Sequence, residues 1–149
     1  MEYWNKGNTS TALNNNTVYK TIYSTSPTGY SEPQSAVFTG FINTKDAYTS
    51  NSNLFNKNSS FNKGWNFYSQ PNFTGNTVFF AALGVRDVYS GWINASSGGT
   101  LISVGVWGTY LLSGLGPNYN VRYLIFSTDY IYPQIGYIGY GSAIRPVSE

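Results

Sequence analysis

The side chains that could perform acid–base chemistry in this chain are few and scattered. The sequence contains no histidine and no cysteine, so the commonest general base, the commonest metal ligand and every thiolate nucleophile are missing. Two carboxylates that fold together can still act as an acid and a base, but no spacing here pairs them. The six carboxylates are Glu2, Glu32, Asp46, Asp87, Asp129 and Glu149. The sequence therefore predicts a protein that is not an enzyme and that uses no cofactor.

One tripeptide could contribute to a calcium site. Gln70-Pro71-Asn72 is similar to the tripeptides of calcium-dependent sugar-binding lectins. Calcium takes six to eight oxygen ligands, so such a site needs a carboxylate and an asparagine from a neighbouring strand. No Trp-Asn-Asp sequence follows to supply them. We therefore predict no metal site.

Two arginines have structural interpretations. Arg86 and Asp87 follow a predicted strand and are interpreted as an ion pair or a turn. Arg145 precedes a proline and is expected to donate hydrogen bonds to carbonyl groups at the end of a sheet.

The composition is typical of a contact surface. The 149 residues fit one domain, and only 9% of them are charged, against about 25% in an average soluble protein. Aromatic residues make up 18% of the chain, with 14 tyrosines. Tyrosine with serine, glycine and asparagine resembles an antibody paratope, because tyrosine gives a large contact area at low entropic cost.

The charge and hydropathy patterns exclude other partners. The formal net charge is +2 and no cluster of Lys and Arg occurs, which argues against nucleic acid. No apolar run reaches the 18 or so residues of a membrane span, so membrane insertion is not expected.

The segment 104–147 is the aromatic centre of the sequence. Strand-forming residues are dense in it, and Gly, Pro and Asn divide it into pieces of strand length. Residues 123–126 are apolar on both faces, so this strand is either buried on both sides or offers one face to a partner. The glycines of 134–141 favour display, because glycine fills little space in a core.

The alternative is that these side chains form the core, and it stays open for Tyr137, Ile138 and Tyr140. Val104, Leu124 and Phe126 are interpreted as core residues, with Tyr110 a further candidate. A third alternative buries the aromatic segment against a second copy of the chain.

The rest of the chain predicts an α+β architecture that is rich in strand and loop. Residues 1–17 are interpreted as a loose arm carrying Trp4, and 18–149 as the domain. Ser31 is the best helix N-cap, for about two turns before Gly40. A long polar loop covers 42–63, with Leu54, Phe55 and Phe61 as its apolar residues. Strands are predicted at 18–23, 64–68, 77–83 (the clearest buried strand) and 100–104.

Several segments then occur in a specific order. They are Phe38-Thr39-Gly40-Phe41, residues 61–67 (FNKGWNF), 78–87 (VFFAALGVRD), Val104-Gly105, Leu124-Ile125-Phe126, Ile131-Tyr132-Pro133 and 141–147 (GSAIRPV). This order resembles the major paralogous domain of surface proteins from gut Bacteroidetes and their phages, over roughly residues 18–149. The resemblance implies a C-type-lectin-like fold with a small, twisted, mostly antiparallel sheet, one or two short helices and long loops.

The chain departs from that family at three places. It has Tyr110-Leu111-Leu112-Ser113 where the family has Tyr-Trp-Ser-Ser, Ile138 where an Arg is usual, and residues 26–29 (SPTG) where the family has Cys-Pro-Ala-Gly. The same fold carries the variable proteins of diversity-generating retroelements, whose mutagenesis acts at template adenines. An AAC codon can become Tyr, Ile, Val, Leu, Thr or Arg in this way. These types account for most of the candidate binding residues within 104–141, but Trp107 cannot arise from this codon.

The resemblance therefore implies a variable binding surface within 104–141. Its candidate residues are Val106, Trp107, Thr109, Leu112, Leu115, Tyr119, Arg122, Tyr123, Ile135, Tyr137, Ile138 and Tyr140.

The sequence as a whole predicts a non-enzymatic ligand- or receptor-binding domain of a phage or bacterial surface protein. Its expected partner is a cell-surface protein or glycan, with homo-oligomerisation left open, and its expected location is the virion or the bacterial cell surface. The alternative is a structural or adhesive domain of a bacterial surface appendage.

Overall fold

The computed structural model describes residues 14–22, 24–38, 56–57, 60–70, 74–85, 103–115, 120–137 and 141–148. Within these ranges the chain forms seven strands and no α-helix. The strands are β1 (Tyr30–Ser31), β2 (Gly64–Gln70), β3 (Thr74–Ala81), β4 (Gly108–Leu115), β5 (Asn120–Phe126), β6 (Ile131–Tyr137) and β7 (Val147–Ser148).

The strands form small antiparallel sheets. β1 pairs with β7, β2 pairs with β3, and β4, β5 and β6 form a three-stranded sheet with β5 in the centre. Because β1 and β7 lie far apart in the sequence, their pairing closes the chain on itself. The predicted small antiparallel sheets are therefore confirmed.

The core between these sheets is built from aromatic rings around Phe80. The Phe80 ring makes edge contacts with Phe38, Phe67 and Tyr110, at centroid distances of 5.4, 5.5 and 4.9 Å. Tyr110 also stacks on Phe126 at 6.1 Å. Edge and offset contacts of this kind add to the stability gained from burial alone. The β2–β3 hairpin and the three-stranded sheet thus share one aromatic core.

Two hydrogen bonds satisfy the polar atoms of this core. The Trp65 indole N–H donates to the Ser127 carbonyl at 2.9 Å, and the Tyr110 hydroxyl donates to the Ala81 carbonyl at 2.9 Å. Each bond joins the hairpin to the three-stranded sheet. Since an unmade buried hydrogen bond is costly, these bonds fix the relative position of the two sheets.

Strand β5 is buried on both faces. Leu124 and Phe126 belong to the aromatic core, while Val121 and Tyr123 pack with Leu111 in a second cluster. Successive residues of a strand point to opposite faces, so the two clusters lie on opposite sides of the sheet. Residues 123–126 were expected either to be buried on both faces or to offer one face to a partner, and the structure shows burial on both faces.

The edge of β4 away from β5 is covered by other segments. The amide of Ser113 donates to the Pro33 carbonyl at 2.7 Å, and the amide of Leu111 donates to the Ala143 carbonyl at 2.8 Å. Isolated parallel bridges join Gly84 to Gly108 and Tyr110 to Ala143. Such cover prevents pairing of this edge with another chain.

Gly108 is required by the packing at the start of β4. A Cβ atom at this position would collide with the ring of Phe126, which is fully buried. The strand therefore accepts only glycine here unless the core rearranges.

The prediction of a buried strand at 77–83 is wrong. In β3, Phe80 is buried, but Phe79 is 45% exposed and Leu83, beyond the strand, is 49% exposed. Trp65, Phe67 and Phe80 belong to the aromatic core, so the hairpin packs one face against it and leaves Phe79 on the other. The apolar run indicated the strand correctly but did not show that one of its two faces is exposed.

Two further predicted strands differ. Residues 18–22 are not extended in a sheet, and Ile22 is 90% exposed. The Lys20 ammonium instead donates to the Pro27 and Tyr30 carbonyls at 2.8 and 2.7 Å, which holds this segment by a side chain. Residues 103–106 form a turn, with Ser103 and Gly105 at positive φ, while 100–102 lie outside the described residues.

The prediction of a helix starting at Ser31 is wrong within the described residues. Ser31 belongs to β1, where it pairs with Val147. A short turn follows, in which the Val37 amide donates to the Gln34 carbonyl at 3.1 Å. The tertiary pairing with β7 thus overrides the local capping pattern.

Candidate binding surface

The three-stranded sheet brings several predicted site residues into one row. Leu112 on β4 is paired with Arg122 on β5, which is paired with Ile135 on β6. Tyr123 lies opposite Leu111. The register therefore gathers part of the predicted set on one sheet.

Burial contradicts the surface role of four of these residues. Thr109, Leu112, Arg122 and Tyr123 are all buried, so none of them forms an exposed contact patch on this chain. Leu112 belongs to the aromatic core and Tyr123 to the second cluster. The sequence could not predict this burial, because residue type alone does not show whether a distant segment covers a strand residue.

The segment after β1 provides part of this cover. Pro33 bonds to Ser113, and at Gly114 an added Cβ would lie 3.5 Å from Cβ of Ser35 and 3.9 Å from Cδ of Arg122. Gly114 has φ of +121° at the bulge that ends the regular pairing of β4. The bulge at Gly114 therefore leaves room for Ser35 and the aliphatic part of Arg122 to pack closely against the sheet.

Buried polar groups accompany this contact. Glu32 and Ser35 are fully or almost fully buried, and Oε1 of Glu32 accepts a hydrogen bond from Ser24 Oγ at 2.8 Å. Ser35 Oγ accepts from the Asn14 amide at 2.9 Å. These bonds hold the segment around 14–35 together internally, and the Ser113–Pro33 bond joins it to the sheet, so Glu32 and Ser35 have a structural role.

The other predicted site residues have different outcomes. Val106 is 49% exposed and Trp107 is half-buried. The backbone of Leu115, Ile135 and Tyr137 lies in β4 and β6. Tyr119, Ile138 and Tyr140 lie outside the described residues, so the prediction for them stays a prediction.

Three of the exposed apolar residues lie at one turn and the segment beside it. Val104 and Val106 in this turn are 55% and 49% exposed, and Leu83 on the adjacent segment is 49% exposed. We call Leu83, Val104 and Val106 the apolar rim. Val104 was expected in the core, and that expectation is wrong.

Backbone hydrogen bonds fix the apolar rim in place. The Gly105 amide donates to the Ala82 carbonyl and the Gly84 amide donates to the Trp107 carbonyl, both at 2.7 Å. Within the turn, the amides of Val106 and Trp107 both donate to the Ser103 carbonyl, at 2.9 and 2.8 Å. The turn is therefore bonded internally and to the end of the hairpin.

Sequence reasoning missed Leu83 and Val104 as candidate contact residues. Gly105 between two valines, after Ser103, was the available signal, because glycine commonly supplies the positive φ of a turn. Its φ is +79°. For Leu83 no local signal existed, since its exposure depends on which strand lies beside β3.

The predicted chemical sites can be placed only in part. Arg145 donates from Nη1 to the Phe79 carbonyl at 2.8 Å, as expected for an arginine at a sheet end. Pro71, Asn72, Arg86 and Asp87 lie outside the described residues. Among the residues that are described, no group of three or more His, Cys, Asp or Glu could hold a metal ion.

Lys57 is a cation whose environment departs from that of a surface lysine. It is buried beside β2, with its Nζ 3.7 Å from the centre of the Trp65 ring. Burial lowers the pKa of the Lys57 ammonium. The ring partly compensates for lost hydration through a cation–π contact.

Comparison with known proteins gives no relative. No protein-family model, curated protein or solved structure matches the chain. In the part of the chain that the structure describes, no helix is long and apolar enough to cross a membrane.

Proposed function

We propose that this chain is a non-enzymatic recognition domain of a phage or bacterial surface protein, with a C-type-lectin-like fold. Its receptor is a protein or glycan on a cell surface. The small antiparallel sheets support this fold in its coarse features, and the order of motifs along the sequence supports the family.

One observation carries the proposal: the apolar rim is exposed on a backbone that hydrogen bonds hold in place. A contact surface that is ordered before binding loses less conformational entropy when the partner arrives. The rim lies beside Trp107, a residue type enriched at energetically dominant contacts. Tyr119, Tyr137, Ile138 and Tyr140 are proposed to extend this surface.

The test measures retention of the purified domain on whole bacterial cells. A panel of gut bacterial strains is used, each untreated, treated with protease, or treated with periodate. Loss after protease identifies a protein receptor, and loss after periodate identifies a glycan.

A double variant then tests the surface itself. Val104→Asp/Val106→Asp should weaken retention by about 30-fold or more, because interface hot spots cost about 2 kcal/mol or more. Ile22→Asp, at a more exposed apolar position that is not part of the rim, should leave it unchanged. Retention of the double variant at the parent level would contradict the role of the rim, and a parent domain retained on no strain would contradict the function.

A further inference from the structure

A concave surface that includes none of the apolar rim residues lies where the β1–β7 pair meets the β2–β3 hairpin. It is a cavity of about 220 Å³ lined by Val37, Phe38, Val78, Phe80, Arg145, Pro146 and Val147. Val78 and Phe80 are two residues apart on β3, so their side chains share the face that borders the cavity. All lining residues except one are apolar.

The exception, Arg145, is held in a defined position. Its guanidinium carbon lies 4.6 Å from the centre of the Phe80 ring, and Nη1 donates to the Phe79 carbonyl. Stacking and one hydrogen bond together restrict a side chain that is otherwise long and flexible.

Most of the hydrogen-bonding capacity of Arg145 remains available. A guanidinium has five N–H donors, and among the described residues only the Phe79 carbonyl accepts from it. The side chain is exposed to solvent. A planar guanidinium with free donors is suited to bind a carboxylate through two parallel hydrogen bonds.

The size of the cavity limits the apolar part of the ligand. A dry apolar cavity of about 150 Å³ is known to admit benzene, so a cavity of about 220 Å³ accommodates one aromatic ring with a short chain. Phe38 and Phe80 provide apolar walls for such a ring, and Arg145 provides the positive charge beside it.

We infer that this cavity is a binding site for a carboxylate carrying a single aromatic ring. The ring occupies the apolar cavity, and the carboxylate pairs with Arg145. The chemistry is shared by a free aryl-alkyl acid and by the carboxyl-terminal aromatic residue of a peptide. The site is separate from the apolar rim and does not depend on the proposed function.

The experiment titrates the full chain with small probes and follows amide chemical shifts by NMR. The probes are 3-phenylpropionate for a free acid and N-acetylphenylalanine for a peptide end. Their uncharged counterparts are 3-phenylpropanol and N-acetylphenylalanine amide. At least one acid should bind about 10-fold or more tightly than its counterpart, with shifts at residues 37–38, 78–80 and 145–147. The acid that binds more tightly identifies the source of the ligand.

Variants test the assignment of the charge. Arg145→Gln should weaken acid binding about 10-fold or more, and Arg145→Lys should weaken it less, because lysine keeps the charge but not the planar fork. Val37→Asp places a negative charge at the cavity wall and should weaken acid binding without touching the Arg145 contacts. Ile22→Asp adds the same charge at a position outside the cavity and should bind like the parent.

Three results would overturn the inference. They are equal affinity for acids and uncharged counterparts, shifts that map elsewhere, or folded Arg145→Gln and Val37→Asp proteins that bind as the parent does. If Arg145→Gln fails to fold, Val37→Asp alone decides.

Discussion

At the scale of single residues, Tyr110 links the two sheets through a buried hydroxyl. The hydroxyl donates to the Ala81 carbonyl, while the ring contacts Phe80 and Phe126. Burial raises the pKa of Tyr110 above its ordinary value of 10.0, and the positive charge of Arg145 offsets only part of that rise. The folded state therefore holds this proton more tightly than the unfolded state.

The sign of this shift makes a prediction about alkaline stability. A tyrosine with a raised pKa stabilises the fold fully below about pH 10, the unfolded value, and this contribution is lost as the pH rises through the folded value. Tyr110→Phe should cost about 1 kcal/mol at neutral pH through the lost hydrogen bond. It should also remove part of the stability loss above pH 10, measured by urea denaturation at several pH values.

The control for this prediction is Tyr30→Phe, at an exposed tyrosine. It should keep the alkaline stability loss of the parent. Lys57 has a lowered pKa and so contributes in the opposite direction, with stability rising as the pH increases towards about 10.5. Because the variants and the parent all contain Lys57, comparing each variant with the parent cancels the Lys57 contribution. An unchanged alkaline slope in Tyr110→Phe would contradict the assignment of part of the stability loss to Tyr110.

At the scale of elements, β3 presents adjacent phenylalanines to opposite environments. Phe80 is buried at the centre of the core and Phe79 is 45% exposed. Phe80→Ala should destabilise the protein by about 3–5 kcal/mol, whereas Phe79→Ala should cost less than about 1 kcal/mol. Chemical denaturation of both variants measures the difference. Equal destabilisation by the two substitutions would contradict the assignment of Phe80 to the core-facing side of β3 and of Phe79 to the exposed side.

Tyr137 is the last residue of β6, and Tyr140 lies outside the described residues. If Tyr137 and Tyr140 are contact residues, the double variant Tyr137→Ala/Tyr140→Ala should stay soluble with the melting temperature of the parent. Exposed substitutions usually change stability by less than about 0.5 kcal/mol, which is why folding should be unaffected. Retention on cells should nevertheless be lost. A double variant that fails to fold would place these tyrosines in the core and remove them from the proposed surface.

How far the sequence could predict the structure is clearest in two strands. Residues 123–126 were identified as a strand from their residue types, and they lie in β5. The same reasoning could not decide between burial on both faces and a displayed face, because this depends on the segments of 33–35 and 143–144 that cover the sheet. For β3 the sequence predicted a buried strand, but Phe79 is exposed and, among the described residues, β3 pairs with β2 alone. Local patterns predict the element, and long-range packing decides which of its side chains a partner can reach.

At the scale of the whole molecule, the lack of histidine and cysteine and the small number of carboxylates predict insensitivity to metals. Calcium, zinc or EDTA should leave the melting temperature unchanged, because a metal that binds only the folded state would raise it. Differential scanning fluorimetry with each addition checks this. A clear rise with calcium alone would revive a lectin-type site near Gln70, and Gln70→Ala, which removes a side-chain oxygen, would then abolish the rise.

The pairing of β1 with β7 also has a mechanical consequence. Tyr30 and Ser148 are neighbours in an antiparallel pair, so the chain enters β1 and leaves β7 at the same end of that pair. Tension applied between these two residues would therefore separate the strands one bond at a time, as in unzipping, and would not shear all their bonds together. A domain loaded in this way yields first at its two-residue closure, and the aromatic core around Phe80 bears the force only after that closure has opened.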